Sequence, residues 1–388
     1  MRLFFVRYKK TKERRGQFME MLEKLQTLIP VFQKREPALD QLNSFPFENI
    51  EDLKKIGYTK AMLTENGGMS LIEYVQCQET IAKGCGATAL SIGWHTGLLM
   101  EFVEHGHWNP DVEEFLREEI QKGKLINAAA SERNAGSPLR GAAFKTTAVL
   151  DGKEYIVNGE KTFTSAAPVL DYIFVSATIQ GSEESAVFLV PAANAGVTIR
   201  ETWDSVAMRG TASHDLLLEN VRIPEHYIVE KLDQGAKLRR KGSLLHIPAC
   251  YIGIAGAARD YAIQFAADYT PASLDQPIGT LPVTEQLIGE MDMKLMAARQ
   301  FLYRTAELYD REPDVSIKTQ MAASKSFVTN TAIEVTDMAM RIVGARSLSE
   351  KNPLHRYWQH VRAGLHNPPM DDIAYRIIAQ EAISLARL

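Results

Sequence analysis

Apolar residues change their spacing twice along this chain, and that double change restricts the fold more than any other feature. From about residue 17 to 122 they recur three and four apart, as in Phe18, Met21, Leu22 and Leu25 and later Phe102 and Leu116, with Pro and Gly breaks between. That spacing gives a helix one apolar face. From about 125 to 230 the pattern shortens to alternating runs, Lys145 to Leu150, Tyr155 to Val157, Tyr172 to Ala177 and Ala186 to Val190, divided by Gly, Asn and Asp. Alternation places successive side chains on opposite faces of a strand. From about 236 helical spacing returns in two long stripes, Leu287, Met291, Leu295, Ala298, Leu302 and Thr305, then Val328, Ala332, Val335, Ala339 and Ile342. Such stripes suit antiparallel helices in a bundle. The expected architecture is α+β and multidomain: a helical domain over 1–122, a β domain over 123–235 and a helical bundle over 236–388.

Charge and cysteine usage exclude several function classes. A net charge of −4 leaves no sustained positive field for nucleic acid, and the basic cluster from Arg7 to Arg15 reads as a solvated helix start. No apolar stretch reaches the roughly 18 residues of a membrane span. Met1 to Val6 is too short for a signal peptide and is followed by charge. Cys77, Cys85 and Cys250 have neither metal-ligand spacing nor a disulfide framework. A reduced, cytoplasmic enzyme without a metal is expected.

Two segments supply what an isoalloxazine ring needs, an apolar plane and polar groups at its N5 and O4 edge. In the first, Ala128, Ala129 and Ala130 allow close backbone approach, Ser131 offers a hydroxyl, and Ala135-Gly136-Ser137 forms a turn. In the second, Asn158 to Ser165, alternation puts Phe163 and Ser165 on one side, an aromatic wall beside a hydroxyl. On the residues alone, a surface hairpin turning at Asp151-Gly152-Lys153 in a type I′ turn is the simpler reading.

Ser131-Glu132-Arg133-Asn134-Ala135-Gly136-Ser137-Pro138 resembles the Thr-Glu-Pro-x-Ala-Gly-Ser-Asp motif of the acyl-CoA dehydrogenase superfamily. The second segment resembles its Asn-Gly-x-Lys-x-Trp-Ile-Thr-Asn, with Phe163 for Trp and Ser165 for Thr. Glu65 to Gly68, Met208 to Thr211, Val221 to Pro224 and Tyr251 to Ala255 continue the match in colinear order. The resemblance implies an all-helical first domain, a small β-barrel and a C-terminal four-helix bundle, assembled as a homotetramer with flavin at a subunit interface. It implies FAD held by Asn127, Ala130, Ser131, Phe163 and Ser165, an acyl-CoA substrate met by Ser137 and Trp94, and an electron-transfer flavoprotein as partner.

Three departures accompany the match. The family's glutamate base occupies one of two positions; here the first reads Asn367-Pro368-Pro369-Met370 and the second, before Tyr251, falls on Ser243. Asp371 and Asp372 stand near the first, where acidic residues also suit a helix start. The arginine expected at the FAD pyrophosphate is replaced in Asp275-Gln276-Pro277-Ile278-Gly279, so either another cation, such as Arg346, anchors FAD or the cofactor is FMN. Finally, His366, just before the missing glutamate, is similar to the histidine of the flavin monooxygenases sharing this fold, such as the dibenzothiophene monooxygenases. In that branch His366 and Ser165 would act on a small aromatic or sulfur compound, with reduced flavin from a separate reductase. Three readings stay open: a dehydrogenase with an unrecognised base, a two-component monooxygenase, and a catalytically silent flavin-binding scaffold.

Overall fold

The computed structural model describes residues 2–63 (side chains from 14), 68–133, 144–182, 184–232, 241–312 and 316–387. Five helices come first: α1 (Arg2–Gln41), α2 (Phe47–Lys55), α3 (Leu71–Gly84), α4 (Gly86–His105) and α5 (Pro110–Gln121). Two prolines, Pro30 and Pro37, lie inside α1 and do not end it. The lost hydrogen bonds are compensated by burial of Leu25 and Phe32, the latter against Gly84 of α3. A reciprocal capping box opens α3, Glu73 N–H donating to Ser70 Oγ and Ser70 N–H to Glu73 Oε2. Helix α4 is apolar on nearly every side and is accordingly buried between its neighbours.

Strands β1 (Ile126–Ala129), β2 (Thr147–Asp151), β3 (Glu154–Thr164), β4 (Tyr172–Ile179), β5 (Ser185–Pro191), β6 (Val197–Arg200), β7 (His214–Pro224) and β8 (Ile228–Lys231) form one sheet. Its order is β6-β7-β3-β2-β4-β5-β8, with β1 parallel to the first half of β4 and β2 parallel to its end. At the β2–β3 turn only Gly152 has positive φ, 66°. This is the type II′ pattern, with glycine first, and not type I′, which needs two left-handed residues.

Helices α6 (His246–Asp268), α7 (Pro282–Arg311), α8 (Lys318–Val343), α9 (Pro353–Arg362) and α10 (Asp371–Leu385) complete the chain. Helix α8 is central and touches the other four. Met291, Leu295, Ala298, Leu302 and Thr305 on α7, and Val328, Ala332, Val335, Ala339 and Ile342 on α8, are buried. The first and last helical regions share a core, because α3 and α4 pack directly on α6. Polar ties reinforce that seam: Glu79 on α3 accepts from Arg299 Nε at 2.7 Å and Tyr303 Oη at 2.6 Å, both on α7. Arg356 of α9 donates to the buried Glu36 of α1 at 3.0 Å.

Candidate flavin and substrate site

The end of β3 departs from regular alternation, and the site is built on that departure. Pairing of β3 with β7 shifts register between Lys161 and Thr164, and Phe163 adopts a left-handed φ of 58°. A bulged strand re-aims its side chains. Phe163 is therefore 60 % exposed whereas Ser165 is only 8 % exposed, so the two do not share one side as period-two spacing predicts. A bulky residue at positive φ is unfavourable and persists only where its surroundings hold it. Here its ring meets Trp203 edge-on, centroids 6.1 Å apart, and Ser165 N–H donates to its carbonyl at 2.9 Å.

Behind this outward ring lies a hydrogen-bonded ledge. Asn127, buried on β1, donates from Nδ2 to the Ser165 carbonyl at 2.8 Å. Thr211 Oγ donates to the Met208 carbonyl, and Ser213 Oγ lies 2.8 Å from both Thr211 Oγ and Ser165 Oγ. Each hydroxyl has one proton. With the Thr211 proton committed, Ser213 donates to Thr211 and Ser165 donates to Ser213. Ser165 thus presents lone pairs to a ligand, an acceptor suited to the N–H of a reduced ring.

The first segment is fastened to β3 from its other side. Thr162 N–H donates to the Ser131 carbonyl at 2.9 Å, and both Ala130 and Ser131 are half-buried. Glu132 accepts from Lys161 Nζ at 2.6 Å and from the amides of Lys145 and Thr146. Burial pushes the Glu132 carboxyl up, but these bonds prevail and hold it down at about 2. Burial lowers Lys161, partly offset by Glu132. An exposed aromatic face beside a polar ledge fits an isoalloxazine ring.

The remaining candidates divide. Ser137 and its turn, like Glu65 to Gly67, lie outside the described residues. Trp94, on α4, is half-buried with its ring edge-on to His246, centroids 4.6 Å apart. Arg346 is exposed, its guanidinium 4.4 Å over the Tyr269 ring, and the Tyr269 carbonyl accepts from Ile278 N–H. That brings Arg346 to the corner formed by Asp275 to Gly279. His366 ends a 3₁₀ turn, is exposed, and has no hydrogen bond or ion pair among the described residues. Nothing there joins it to Ser165. At the first base position Asn367, a neutral amide, accepts from Tyr251 Oη at 2.5 Å.

Four polar residues gather around α4, and of these Glu101 and His246 carry no signal in the sequence as site candidates. His95 accepts from Ile126 N–H on Nδ1 at 3.1 Å, so its proton sits on Nε2, which donates to the Thr59 carbonyl at 2.8 Å. Burial lowers it to about 4. His246, at the start of α6, is fully buried, held down at about 3 by that burial, and neither ring nitrogen has a partner among the described residues. Only a glycine allows its approach, since a Cβ at Gly93 would lie 2.3 Å from Nδ1. Ser243 Oγ donates to Glu101 Oε1 of α4 at 2.5 Å. Residues 142 positions apart give no linear signal of that contact. Among the described residues no His, Cys, Asp and Glu cluster could hold a metal.

Family models for the acyl-CoA dehydrogenase N-terminal, middle and C-terminal domains match residues 26–109, 127–221 and 245–367. YdbM of Bacillus subtilis (strain 168), assigned by name to the acyl-CoA dehydrogenases, is 45% identical over 94% of this chain and 96% of its own. The 3-(aryl)acrylate reductase of Clostridium sporogenes is 28% identical over 89% of this chain and 94% of its own. Butyryl-CoA dehydrogenase from Megasphaera elsdenii superposes with a TM-score of 0.84 at 19% identity, covering 95% of this chain and 98% of that one. FMN-bound TdsC from Paenibacillus sp. A11-2 has the same fold, with a TM-score of 0.83 at 20% identity over 93% of this chain and 96% of that one.

Proposed function

Because this chain belongs to the acyl-CoA dehydrogenase family and is a FAD-dependent oxidoreductase, we propose that it oxidises the C2–C3 bond of an acyl-CoA thioester. The observation that carries the proposal is the outward Phe163 ring beside the Asn127–Ser165–Ser213–Thr211 ledge. FAD supplies a two-electron acceptor for hydride. The chain's own residues orient and shield. Phe163 and Trp203 cover an apolar ring face, Ser165 accepts a proton-bearing edge, and Asn127 fixes the Ser165 carbonyl. Ala130 and Ser131 border the same edge, and Arg346 is the cation that replaces the missing arginine at the pyrophosphate. Ser137 and Trp94 belong to the substrate side.

An electron-transfer flavoprotein is the proposed oxidant of the reduced enzyme, and a homotetramer its working form. A cytoplasmic setting suits Cys77, Cys85 and Cys250, all buried and free. Among the described residues no helix is long and apolar enough to cross a membrane. His366, exposed and without a partner among the described residues, gives no support to oxygenase chemistry.

Anaerobic mixing of the FAD-loaded protein with saturated acyl-CoAs of several chain lengths tests the proposal. Bleaching of the oxidised-flavin absorbance is expected. An enzyme that stays oxidised, but inserts oxygen into an aromatic or sulfur compound when supplied with reduced flavin, would replace this reading by the monooxygenase. A protein that retains flavin and does neither is a silent scaffold.

A further inference from the structure

Helices α4 and α6 run antiparallel with one shared seam: Gly86 faces Ile254, Gly93 faces His246, and Glu101 faces Ser243 in the 3₁₀ turn, Gly242–Leu245, that leads into α6. The sequence places Ser243 where one branch of the family carries its glutamate base. A serine hydroxyl plus one hydrogen bond reaches about as far from the residue-243 backbone as the longer side chain of a glutamate would. The carboxylate missing from the turn into α6 is therefore present in space, delivered by α4.

Resting on the acyl-CoA dehydrogenase reading, we infer that Glu101 is the catalytic base of this protein and that Ser243 is its positioning residue. Glu101 is half-buried, and Ser243 occupies only its Oε1. Among the described residues Oε2 makes no hydrogen bond or ion pair, so one carboxylate oxygen remains available to a proton from substrate. A second, independent observation shows that the seam expects a polar ligand. His246, one helical turn from Ser243, is fully buried with both ring nitrogens unpartnered among the described residues, a state costing about 1–3 kcal/mol per unmet group unless something bound satisfies it. The seam also adjoins the flavin ledge. Trp94, against His246, precedes His95, which holds the amide of Ile126, the neighbour of Asn127.

In the inferred step Glu101 takes the proton from C2 of the thioester. The electron pair of that C–H bond becomes the second bond between C2 and C3, and hydride leaves C3 for the flavin, the oxidant of the proposed reaction. A positioned carboxylate contributes typically 10²–10⁴-fold to such a proton transfer.

Three proteins decide the matter: wild type, Glu101→Gln, and the double variant Glu101→Gln/Ser243→Glu. Two readouts apply, anaerobic flavin bleaching by acyl-CoA and solvent deuterium uptake at C2 with the flavin held reduced, when no hydride can be accepted. Glu101→Gln should lose about 10²–10⁴-fold in both. It should keep FAD and wild-type affinity for acyl-CoA, measured calorimetrically on the holoenzyme with its flavin held reduced. The double variant, with its carboxylate restored in the turn that leads into α6, should recover much of the exchange. Wild-type rates in Glu101→Gln, with wild type active, would overturn the inference and leave the dehydrogenase reading standing. Failure of the double variant to recover, with Glu101→Gln folded and binding acyl-CoA, would reduce Glu101 to a structural role and also overturn it. A wild type showing neither bleaching nor exchange would overturn both.

Discussion

At the scale of single residues, the surroundings of the site depend on histidines that are neutral because they are buried. His95 is the best example, since it joins Thr59 to Ile126 and so fixes the strand that carries Asn127. Its folded value of about 4 lies below the ordinary 6.5, so the folded protein binds fewer protons than the unfolded chain between those values. The sign follows: the contribution is complete above pH 6.5 and is lost as pH falls toward 4. The slope is about 1.4 kcal/mol per pH unit for one group, and about 3 kcal/mol in all. Urea unfolding between pH 7 and 4.5 should show wild-type stability falling with acid and His95→Gln falling less steeply, by up to that slope. His246 and His360, both lowered to about 3 mainly by burial, and the Glu132 carboxylate, held down at about 2, add to the acid sensitivity that remains. Identical slopes in the two proteins would mean that His95 does not titrate as its burial requires.

At the scale of elements, the close α3–α6 seam is what lets two helical regions separated by a β domain act as one scaffold. A Cβ at Gly253 would stand 2.4 Å from the Glu79 carbonyl oxygen, a backbone atom that cannot swing aside. Gly253→Ala must therefore push α6 off α3 and disturb Glu79, which holds Arg299 and Tyr303. Overpacking of this kind costs about 1–3 kcal/mol, read as a lower denaturation midpoint at unchanged m-value. An unshifted midpoint would show that the seam yields freely. Helices and strands were legible in the sequence because each depends on spacing within its own segment: the stripes through Met291 and Val328 are buried as their periodicity requires. The Phe163 side-chain direction was not legible, since its bulge depends on register against β7, some fifty residues further on. Likewise Glu101 was not legible as a partner of Ser243, because it arrives from α4, 142 residues earlier. Local patterns encode elements, and contacts between elements encode much of the chemistry.

At the scale of the whole molecule, α7 carries apolar residues on two faces, and one chain covers only one of them. Met291, Leu295, Ala298 and Leu302 fill the bundle core, whereas Met293 and Met296 point the other way and are exposed. Gly289, one turn before Met293, has nothing within 4 Å of where its Cβ would be. Flexible thioether side chains beside an open glycine adapt readily to an opposing surface, and a second copy of the chain is the occupant that the proposed homotetramer supplies. The assembly also bears on the cofactor, because the resemblance puts flavin between subunits and the Phe163 face is left open by its own chain. Met293→Glu/Met296→Glu, which buries charge in any such contact at a cost of several kcal/mol, should lower the mass measured by light scattering. The variant protomer should keep its helical circular dichroism, since neither side chain belongs to the core. If flavin is shared across subunits, FAD retention should fall in step with mass. A variant that keeps the wild-type mass would place the contact elsewhere, and a dissociated variant that retains FAD fully would confine the cofactor to one chain.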